Sequence, residues 1–387
     1  MGTNKDVVVI AGYFARCPLG GYAWQVLHYL LGFEELGFEA YFYEDTALYG
    51  ECFDPVTRTM PARCDRGVEI LSKFFAAHGL GKRWHFWEVG SQREFGLPRS
   101  VMLDLLERAR LVLTLAPVTR VPQAGRATRV FIDLDPGYTQ FRYHQGDEAL
   151  RSLLHEHHRH FTIGELIGSP ACAVPTGNLH WLPTRQPVVT RLWLGSSPAE
   201  DGAWTTIGRW HETRRDIVTG NDRYGWSKRD EWLRFLDLPQ RAAQRFCVAM
   251  DVAKFPNDLA LLNRYGWEVV DPLAVSADPF VYRDFICSSA GEFTTAKDLN
   301  VRLRTGWFSD RSACYLAAGR PVVTQATGFE QVLPTAEGLF AVTTVEEAAA
   351  AIRAVASDPL PHRAHAQLIA RTWFEARQVL HELIEHV

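Results

Sequence analysis

The stretch of residues 305–330 constrains the fold most, because a helix, a stop signal and a buried strand follow one another within it. Ser309 is a suitable N-cap, and apolar residues recur after it at spacings of three and four, which predicts a helix starting near Ser309. Gly319 fits a left-handed C-terminal cap and Pro321 prevents the helix from continuing, so residues 322–324 are expected to form a short buried strand. A small-residue helix that leads into a parallel strand is half of a Rossmann-like unit.

The two ends of this unit are suited to a phosphorylated ligand. A helix start exposes backbone N–H groups and the positive end of the helix dipole, which favours a diphosphate. Residues 327–330 follow the expected strand, at the carboxyl edge where open α/β sheets bind their ligands. The candidate ligand-binding residues in this unit are Ser309, Asp310, Arg311, Gly328 and Glu330.

This pattern resembles the donor-binding part of GT-B glycosyltransferases of the group 1, family 4-like kind. In those enzymes a helix N-terminus faces the diphosphate of a nucleotide sugar, and an acidic residue further on often holds the ribose. The resemblance extends through residues 288–297 upstream and residues 337–348 downstream, and it covers the first two thirds of the chain mainly by layout. Retaining families carry two glutamates around this helix, whereas here Asp310 stands near the first position and Glu330 only roughly matches the second, so the stereochemistry stays open.

The resemblance implies an α/β protein with two Rossmann-like domains that face a central cleft. Residues 1–187 would form the N-terminal, acceptor-binding domain, and residues 188–360 would form the nucleotide-sugar-binding domain. A helix over residues 361–387 would cross back and brace the N-terminal domain. The alternation of predicted strands and helices along the chain agrees with this layout.

Composition sets limits on the partners and the compartment. The 387 residues suffice for two domains, and a net charge of −4 disfavours nucleic acid as the default partner without ruling it out. The seven cysteines are scattered and contain no CxxC pair, which predicts reduced thiols. The first residues lack the pattern of a signal peptide, and no apolar run approaches a membrane span, so a cytoplasmic location is expected.

Basic residues precede the proposed phosphate-binding helix. Lys297 and Arg302 follow an expected strand at residues 291–295, and a lysine at this edge supplies a point charge for a phosphate. The resemblance also implies a phosphate contact for Arg209, because a basic residue after the first strand of the second domain often meets the donor phosphates.

Asp133 and Asp135 end another expected strand as a DxD pair, a pattern that can hold a divalent ion against a diphosphate. Because Pro136 and Gly137 follow as a turn, the pair can also serve the loop backbone or line the cleft. We assign no metal site. The loop before the first helix contains Gly20 and Gly21, which either help to admit an acceptor or simply make a tight turn.

The sequence thus predicts an enzyme that transfers a sugar from a nucleotide-diphosphate sugar to an acceptor, such as a natural product or a glycan, without a tightly bound cofactor. An aromatic content of 12% suits stacking on an apolar aglycone or a sugar, and it is equally expected if these residues fill the hydrophobic core. Two alternatives remain, a nucleotide-sugar epimerase of the same fold and a non-catalytic sugar-nucleotide-binding protein. The sequence leaves the catalytic base open among His28, His85, Asp133, Asp135 and Glu165.

Overall fold

The computed structural model describes residues 5–122, 125–195, 202–212 and 214–387. The first half of the chain forms one eight-stranded sheet with helices on its faces. Its strands are β1 (Val7–Ala11), β2 (Glu39–Asp45), β3 (Trp84–Glu88), β4 (Arg93–Gly96), β5 (Leu111–Leu115), β6 (Thr128–Asp133), β7 (Arg159–Thr162) and β8 (Trp181–Pro183). Its helices are α1 (Gly20–Glu35), α2 (Asp65–Ala77), α3 (Arg99–Arg108), α4 (Tyr138–His144) and α5 (Glu148–His155).

The order of this sheet is β4-β3-β2-β1-β5-β6-β7-β8, and all neighbours are parallel except β3 and β4. In the central register Val9 pairs with Tyr41 on one side and with Val112 on the other. Strands β1 and β5 are buried along their whole length, because helices cover both faces of a parallel sheet. Their continuous apolar runs in the sequence follow from this burial.

The second half of the chain forms a six-stranded parallel sheet and a separate hairpin. Its strands are β9 (Trp204–Gly208), β10 (Ile217–Thr219), β11 (Asp222–Tyr224), β12 (Phe246–Met250), β13 (Trp267–Val270), β14 (Gly291–Thr294), β15 (Val322–Gln325) and β16 (Leu339–Val342). The sheet has the order β13-β12-β9-β14-β15-β16, and β10 pairs with β11 in the hairpin. The helices are α6 (Arg229–Leu233), α7 (Leu238–Ala242), α8 (Pro256–Arg264), α9 (Pro272–Ser276), α10 (Pro279–Ser288), α11 (Asp298–Arg302), α12 (Asp310–Ala317), α13 (Val345–Ser357), α14 (Pro359–Trp373) and α15 (Ala376–Glu385).

The chain end differs from the single helix predicted over residues 361–387. Helix α14 ends at Trp373, and α15 begins at Ala376. The Ala376 N–H donates a hydrogen bond of 3.2 Å to the Glu375 side chain, which caps α15. The break allows Val188 to exchange backbone hydrogen bonds with Phe374 and Ala376, in the manner of a short strand. Helix α15 packs on α1, where a Cβ on Gly32 would lie 2.6 Å from Leu380 Cδ1.

The prediction of seven reduced thiols is also wrong for two residues. Cys52 and Cys64 are paired as a disulfide, with 5.3 Å between their Cα atoms. Both side chains are buried, and they close the exposed loop between them. Proximity in the fold, which spacing alone does not reveal, brings them together. Within the ranges that the structure describes, no helix is long and apolar enough to cross a membrane.

Candidate active site

The carboxyl ends of both sheets open onto one cavity of about 640 Å³. The first half lines it with the loops that follow β1, β5 and β6, and the second half lines it with the loop after β9 and the start of α12. Open α/β sheets bind ligands at these edges, and a cavity of this size suits a small molecule. The cavity is therefore the candidate active site.

Helix α12 points its N-terminus into this cavity. Ser309 is the N-cap, as predicted, and both Ser309 and Asp310 line the cavity. The Asp310 carboxylate accepts the Arg311 N–H at 2.8 Å and the side-chain amide of Gln25 at 3.4 Å. Burial raises the pKa of Asp310 above its usual value. The helix start thus brings one carboxylate and its backbone dipole to the ligand space.

Arg311 lines the cavity but is held firmly by the protein. Its Nε donates to Glu292 at 2.6 Å, and its other nitrogens donate to the Ile207 carbonyl at 2.5 Å and to the Thr294 hydroxyl at 3.1 Å. Burial by itself would lower the pKa of Arg311, but the adjacent Glu292 raises it. Arg311 therefore provides a fixed positive charge at the N-terminal end of α12.

A charged and aromatic cluster joins the two halves beside α12. The Lys297 ammonium lies 3.5 Å from the Asp135 carboxylate and 3.2 Å from the centre of the Trp226 ring. Arg215 donates to the same carboxylate at 2.7 Å and stacks 4.3 Å from Trp226 and 4.1 Å from Tyr138. Burial lowers the pKa of Lys297 to about 8, although Asp135 opposes this effect. Burial would raise the pKa of Asp135, but Lys297 and Arg215 hold it below its usual value.

Two further cations face the cavity from the second half. The Lys228 ammonium lies 3.4 Å from the Thr294 hydroxyl and 5.6 Å from the centre of the Trp307 ring. Burial, reinforced by nearby cations, lowers the pKa of Lys228 well below its usual value. Arg209 pairs with Glu212 at 3.0 Å and keeps 70% of its side chain exposed. Basic side chains thus surround the space before the α12 N-terminus.

The β1–α1 loop forms the opposite wall and is fixed by a buried carboxylate. Glu44 accepts backbone N–H groups of Phe14, Ala15 and Arg16 at 2.6 to 3.0 Å. The Arg16 side chain also pairs with Glu44, and both are fully buried. Gly20 and Gly21, which the sequence placed in this loop, are instead the first two residues of α1. A Cβ on Gly20 would lie 2.3 Å from Tyr282 Cβ. Gly20 thus permits close packing of α1 on α10, while Gly21 borders a pocket of about 10 Å³ beside the cavity.

Asp133 is committed to the interior of the first half. Its oxygens accept the hydroxyls of Thr139 and Thr162, the side-chain amide of Gln140 and the backbone N–H of Asp135, at 2.6 to 3.1 Å. Burial raises its pKa. Asp133 therefore holds the loop, while Asp135 faces the cavity. Within the described ranges, no group of three or more His, Cys, Asp or Glu side chains is placed to hold a metal ion.

The other base candidates lie outside the larger cavity. Glu165 pairs with Arg185 through two hydrogen bonds of 2.6 and 2.8 Å, and burial raises its pKa to about 7. His85 is buried against the Leu97 carbonyl, 2.7 Å from its Nδ1. His28 borders the small pocket, and burial lowers its pKa to about 3. Of the five base candidates, Asp135 is the one that lines the larger cavity.

Three donor candidates also lie away from the cavity. Arg302 pairs with Asp222 at 2.9 Å, beside the β10–β11 hairpin. Glu330 pairs with Arg304 at 3.0 Å and accepts the Gly328 N–H, also at 3.0 Å. A Cβ on Gly328 would lie 2.6 Å from a Leu166 methyl group, so this glycine serves contact between the halves.

Sequence reasoning missed several residues that line the cavity, namely Tyr13, Tyr22, Gln25, Tyr49, Tyr138, Arg142, Arg215, Trp226 and Lys228. Trp226 lies between β11, which ends at Tyr224, and α6, which begins at Arg229. The β10–β11 hairpin sets the approach of Arg215 and Trp226, and its strands of three residues are too short to show a period. The run of residues 226–229 after the hairpin, Trp-Ser-Lys-Arg, combines aromatic and basic side chains and was the available signal for a ligand site.

Two Rossmann-like sheets that open onto a shared cleft define the GT-B fold. The solved structures that this chain resembles include several GT-B glycosyltransferases, and the predicted fold class is confirmed. The Anabaena protein HepE, in complex with UDP and glucose, aligns over 99% of this chain and 100% of its own, with a TM-score of 0.56 and 10% identity. An alpha-glucosyltransferase in complex with UDP and a 13-mer DNA aligns over 98% of both chains, with a TM-score of 0.57 and 11% identity.

Sucrose-phosphate synthase from Thermosynechococcus elongatus aligns over 99% of both chains, with a TM-score of 0.50 and 9% identity. No protein-family model matches the sequence, and no curated protein matches it. At identities of 9 to 11%, these likenesses establish the fold, whereas the activity has to be argued from the site.

Proposed function

We propose that this protein transfers a sugar from a nucleoside-diphosphate donor to an acceptor hydroxyl in the cleft. The observation that carries the proposal is the cluster of basic side chains around the N-terminus of α12, formed by Lys228, Lys297 and Arg311. An anionic diphosphate leaving a sugar is stabilised by fixed cations and by helix N–H groups. HepE, with the same fold, has been solved with UDP-glucose, which supports this class of donor.

In the proposed arrangement, residues 188–360 hold the donor and residues 1–187 present the acceptor, with residues 361–387 bracing the first half. The bond between the anomeric carbon and the phosphate oxygen breaks, and its electron pair stays on the departing diphosphate. The acceptor oxygen forms the new bond to that carbon. Its proton passes to Asp135 or to the departing diphosphate.

The role of Lys297 gives the direct test. Isothermal titration with UDP, dTDP, GDP and ADP identifies the nucleotide, and release of that nucleotide from its glucose conjugate measures turnover. Lys297→Ala should weaken binding of the nucleotide by about tenfold or more, because a hydrogen bond to a charged group is worth about 1.5–3 kcal/mol. Lys73→Ala removes an exposed lysine on α2 and serves as the matched control.

Unchanged nucleotide affinity in a folded Lys297→Ala protein would overturn the phosphate role of this lysine. Failure of the wild-type protein to bind any of the four nucleotides would overturn the proposed function. An epimerised sugar nucleotide formed without any acceptor would indicate the alternative enzyme class instead.

A further inference from the structure

The two walls of the cavity differ in their chemistry. Among the described residues that line it, seven of the thirteen in the second half are charged, against two of the fourteen in the first half. The first-half wall is formed mainly by aromatic and aliphatic side chains. In the proposed function the first half faces the acceptor, so this wall bears on what the acceptor is.

Tyr13, Tyr22 and Tyr49 are three of the four tyrosines on this wall, and the fourth, Tyr138, packs on Arg215. The rings of Tyr13 and Tyr22 meet edge to face with centroids 5.1 Å apart. The Arg16 guanidinium lies 4.8 Å from the centre of the Tyr13 ring and 5.8 Å from that of Tyr49. Because Glu44 fixes Arg16 in the interior, two of the three rings rest on a buried and rigid support. Tyr49 still has 54% of its surface exposed and is open to contact with a ligand.

An apolar turn after β5 continues the wall. Ala116 has a φ of +59°, a backbone conformation that is unfavourable for a residue with a Cβ and that is concentrated at ligand sites. Pro117 and Val118 follow it and line the cavity. The Val118 carbonyl accepts a hydrogen bond of 2.5 Å from Arg16, so the turn and the tyrosines are parts of one framework.

We propose that the acceptor is a hydroxylated aromatic compound whose ring lies against Tyr49, Tyr13 and the 116–118 turn. This inference rests on the proposed glycosyl transfer and names the class of its acceptor. A sugar phosphate would need more positive charge than this wall offers, because Arg142 is the one basic side chain among the described residues that line it. A planar apolar ring instead gains from stacking and from removal of apolar surface from water.

The position and charge of Asp135 agree with a phenolic acceptor. Asp135 is one of the two charged residues on this wall, and its pKa is held low by Lys297 and Arg215. A weak base of this kind removes a proton from a phenol, with a pKa of about 10, more easily than from a hydroxyl whose acidity is closer to that of water, at about 15.7. In the transfer, the phenolic O–H bond breaks, the oxygen bonds to the anomeric carbon, and the nucleoside diphosphate leaves with the electron pair of the broken bond.

The test separates binding of the ring from transfer. Titration of 2-naphthol by its fluorescence measures ring binding, and cyclohexanol serves as a competitor that carries a hydroxyl without an aromatic ring. Transfer is followed by mass spectrometry with the glucose conjugate of the nucleotide that binds, offered with 2-naphthol, 4-methylumbelliferone, cellobiose or glucose 6-phosphate. Tyr49→Ala should weaken 2-naphthol binding about fivefold or more and leave nucleotide affinity unchanged, whereas Tyr49→Phe keeps the ring and should bind nearly as the wild type does.

The expected result is glucosylated naphthol or methylumbelliferone, with little product from cellobiose or glucose 6-phosphate. Nucleotide binding accompanied by transfer only to the two sugars would overturn the acceptor class and leave the proposed glycosyl transfer intact. Equal 2-naphthol binding by the wild type and Tyr49→Ala, or equally strong binding of cyclohexanol, would also count against the aromatic wall. Loss of nucleotide binding altogether would instead be the failure of the proposed function.

Discussion

The carboxylate of Asp135 lies 3.5 Å from the ammonium of Lys297, and this pair joins the two halves across the cavity. Asp135 follows β6 of the first sheet, and Lys297 follows β14 of the second. Arg215 donates to the same carboxylate at 2.7 Å. A diphosphate that enters the site therefore competes with Asp135 for two cations. The Asp135–Lys297 ion pair stabilises the cleft when no ligand is bound, and it therefore opposes the binding of an anion.

Asp135→Asn should consequently tighten nucleotide binding. The amide keeps the size of the side chain but releases the charge of Lys297 and Arg215 for the phosphates, and we expect UDP or the preferred nucleotide to bind about tenfold more tightly. Isothermal titration at constant ionic strength measures this change. Asp104→Asn, at an exposed position of α3, is the matched control. Unchanged or weaker binding by Asp135→Asn would show that the carboxylate positions the cations rather than competing with the ligand.

The lowered pKa of Lys297 predicts a pH dependence of nucleotide affinity. Burial brings this pKa to about 8, so the ammonium is charged at pH 7 and loses its proton as the pH rises through 8. The affinity should therefore fall by up to about tenfold per pH unit above 8, until the pKa of the complex is reached. Titrations between pH 7 and 9.5 measure the slope. Lys297→Arg retains its charge over this range and should bind with a much flatter pH profile.

The fold could be read from the sequence because its signals are local. The strand predicted over residues 322–324 is β15 (Val322–Gln325), and α12 begins after the predicted cap Ser309. Buried parallel strands show continuous apolar runs, and cap residues act within one turn, so both leave a mark in a short window. Such signals also placed Lys297 just beyond a strand, where the structure has it.

The partners of the site residues could not be read in this way. Asp133 and Asp135 look equivalent in the sequence, yet one is enclosed by hydroxyl and amide groups and the other faces the cavity. Their difference depends on Thr162, which is brought alongside by β7, and on Arg215, which comes from the second half. Contacts between residues far apart in the chain depend on sheet order and on packing of the halves, which no local pattern encodes.

The buried pair of Arg311 and Glu292 should matter for folding more than an exposed ion pair does. Arg311 lies in the first turn of α12 and Glu292 lies on β14, with a distance of 2.6 Å between Arg311 Nε and the Glu292 carboxylate. Glu292→Gln leaves the guanidinium without its counter-charge, and we expect the free energy of unfolding to fall by about 3–5 kcal/mol. Arg302→Gln breaks a more exposed pair with Asp222 and should cost about 1 kcal/mol or less. Urea unfolding compares the two variants, and equal losses would contradict this ranking.

The Cys52–Cys64 pair should stabilise the loop that it closes. The two cysteines are 12 residues apart, and closing a loop of about this length contributes roughly 3 kcal/mol in the chain-entropy model. Within this loop Arg58 forms an ion pair with Asp271 of the second half. Reductant should therefore lower the stability of the wild type but not that of the double variant Cys52→Ser, Cys64→Ser. Digestion without reductant should yield the two cysteine peptides joined, and separate peptides would contradict the pairing.

Gly20 and Gly21 are adjacent glycines with different surroundings, and they offer a test of how closely the halves pack. A Cβ on Gly20 would lie 2.3 Å from Tyr282 Cβ on α10, whereas a Cβ on Gly21 would lie 3.7 Å from the Tyr282 hydroxyl, an ordinary contact distance. Gly20→Ala should therefore force α1 and α10 apart and lower the free energy of unfolding by about 3 kcal/mol, at the upper end of what overpacking costs. Gly21→Ala sits within α1 and should be neutral or slightly stabilising, because alanine favours the helix and restricts the unfolded chain. Chemical denaturation measures the free energy of unfolding of both variants. Similar values would mean that α1 and α10 do not pack as closely as the Gly20 contact indicates.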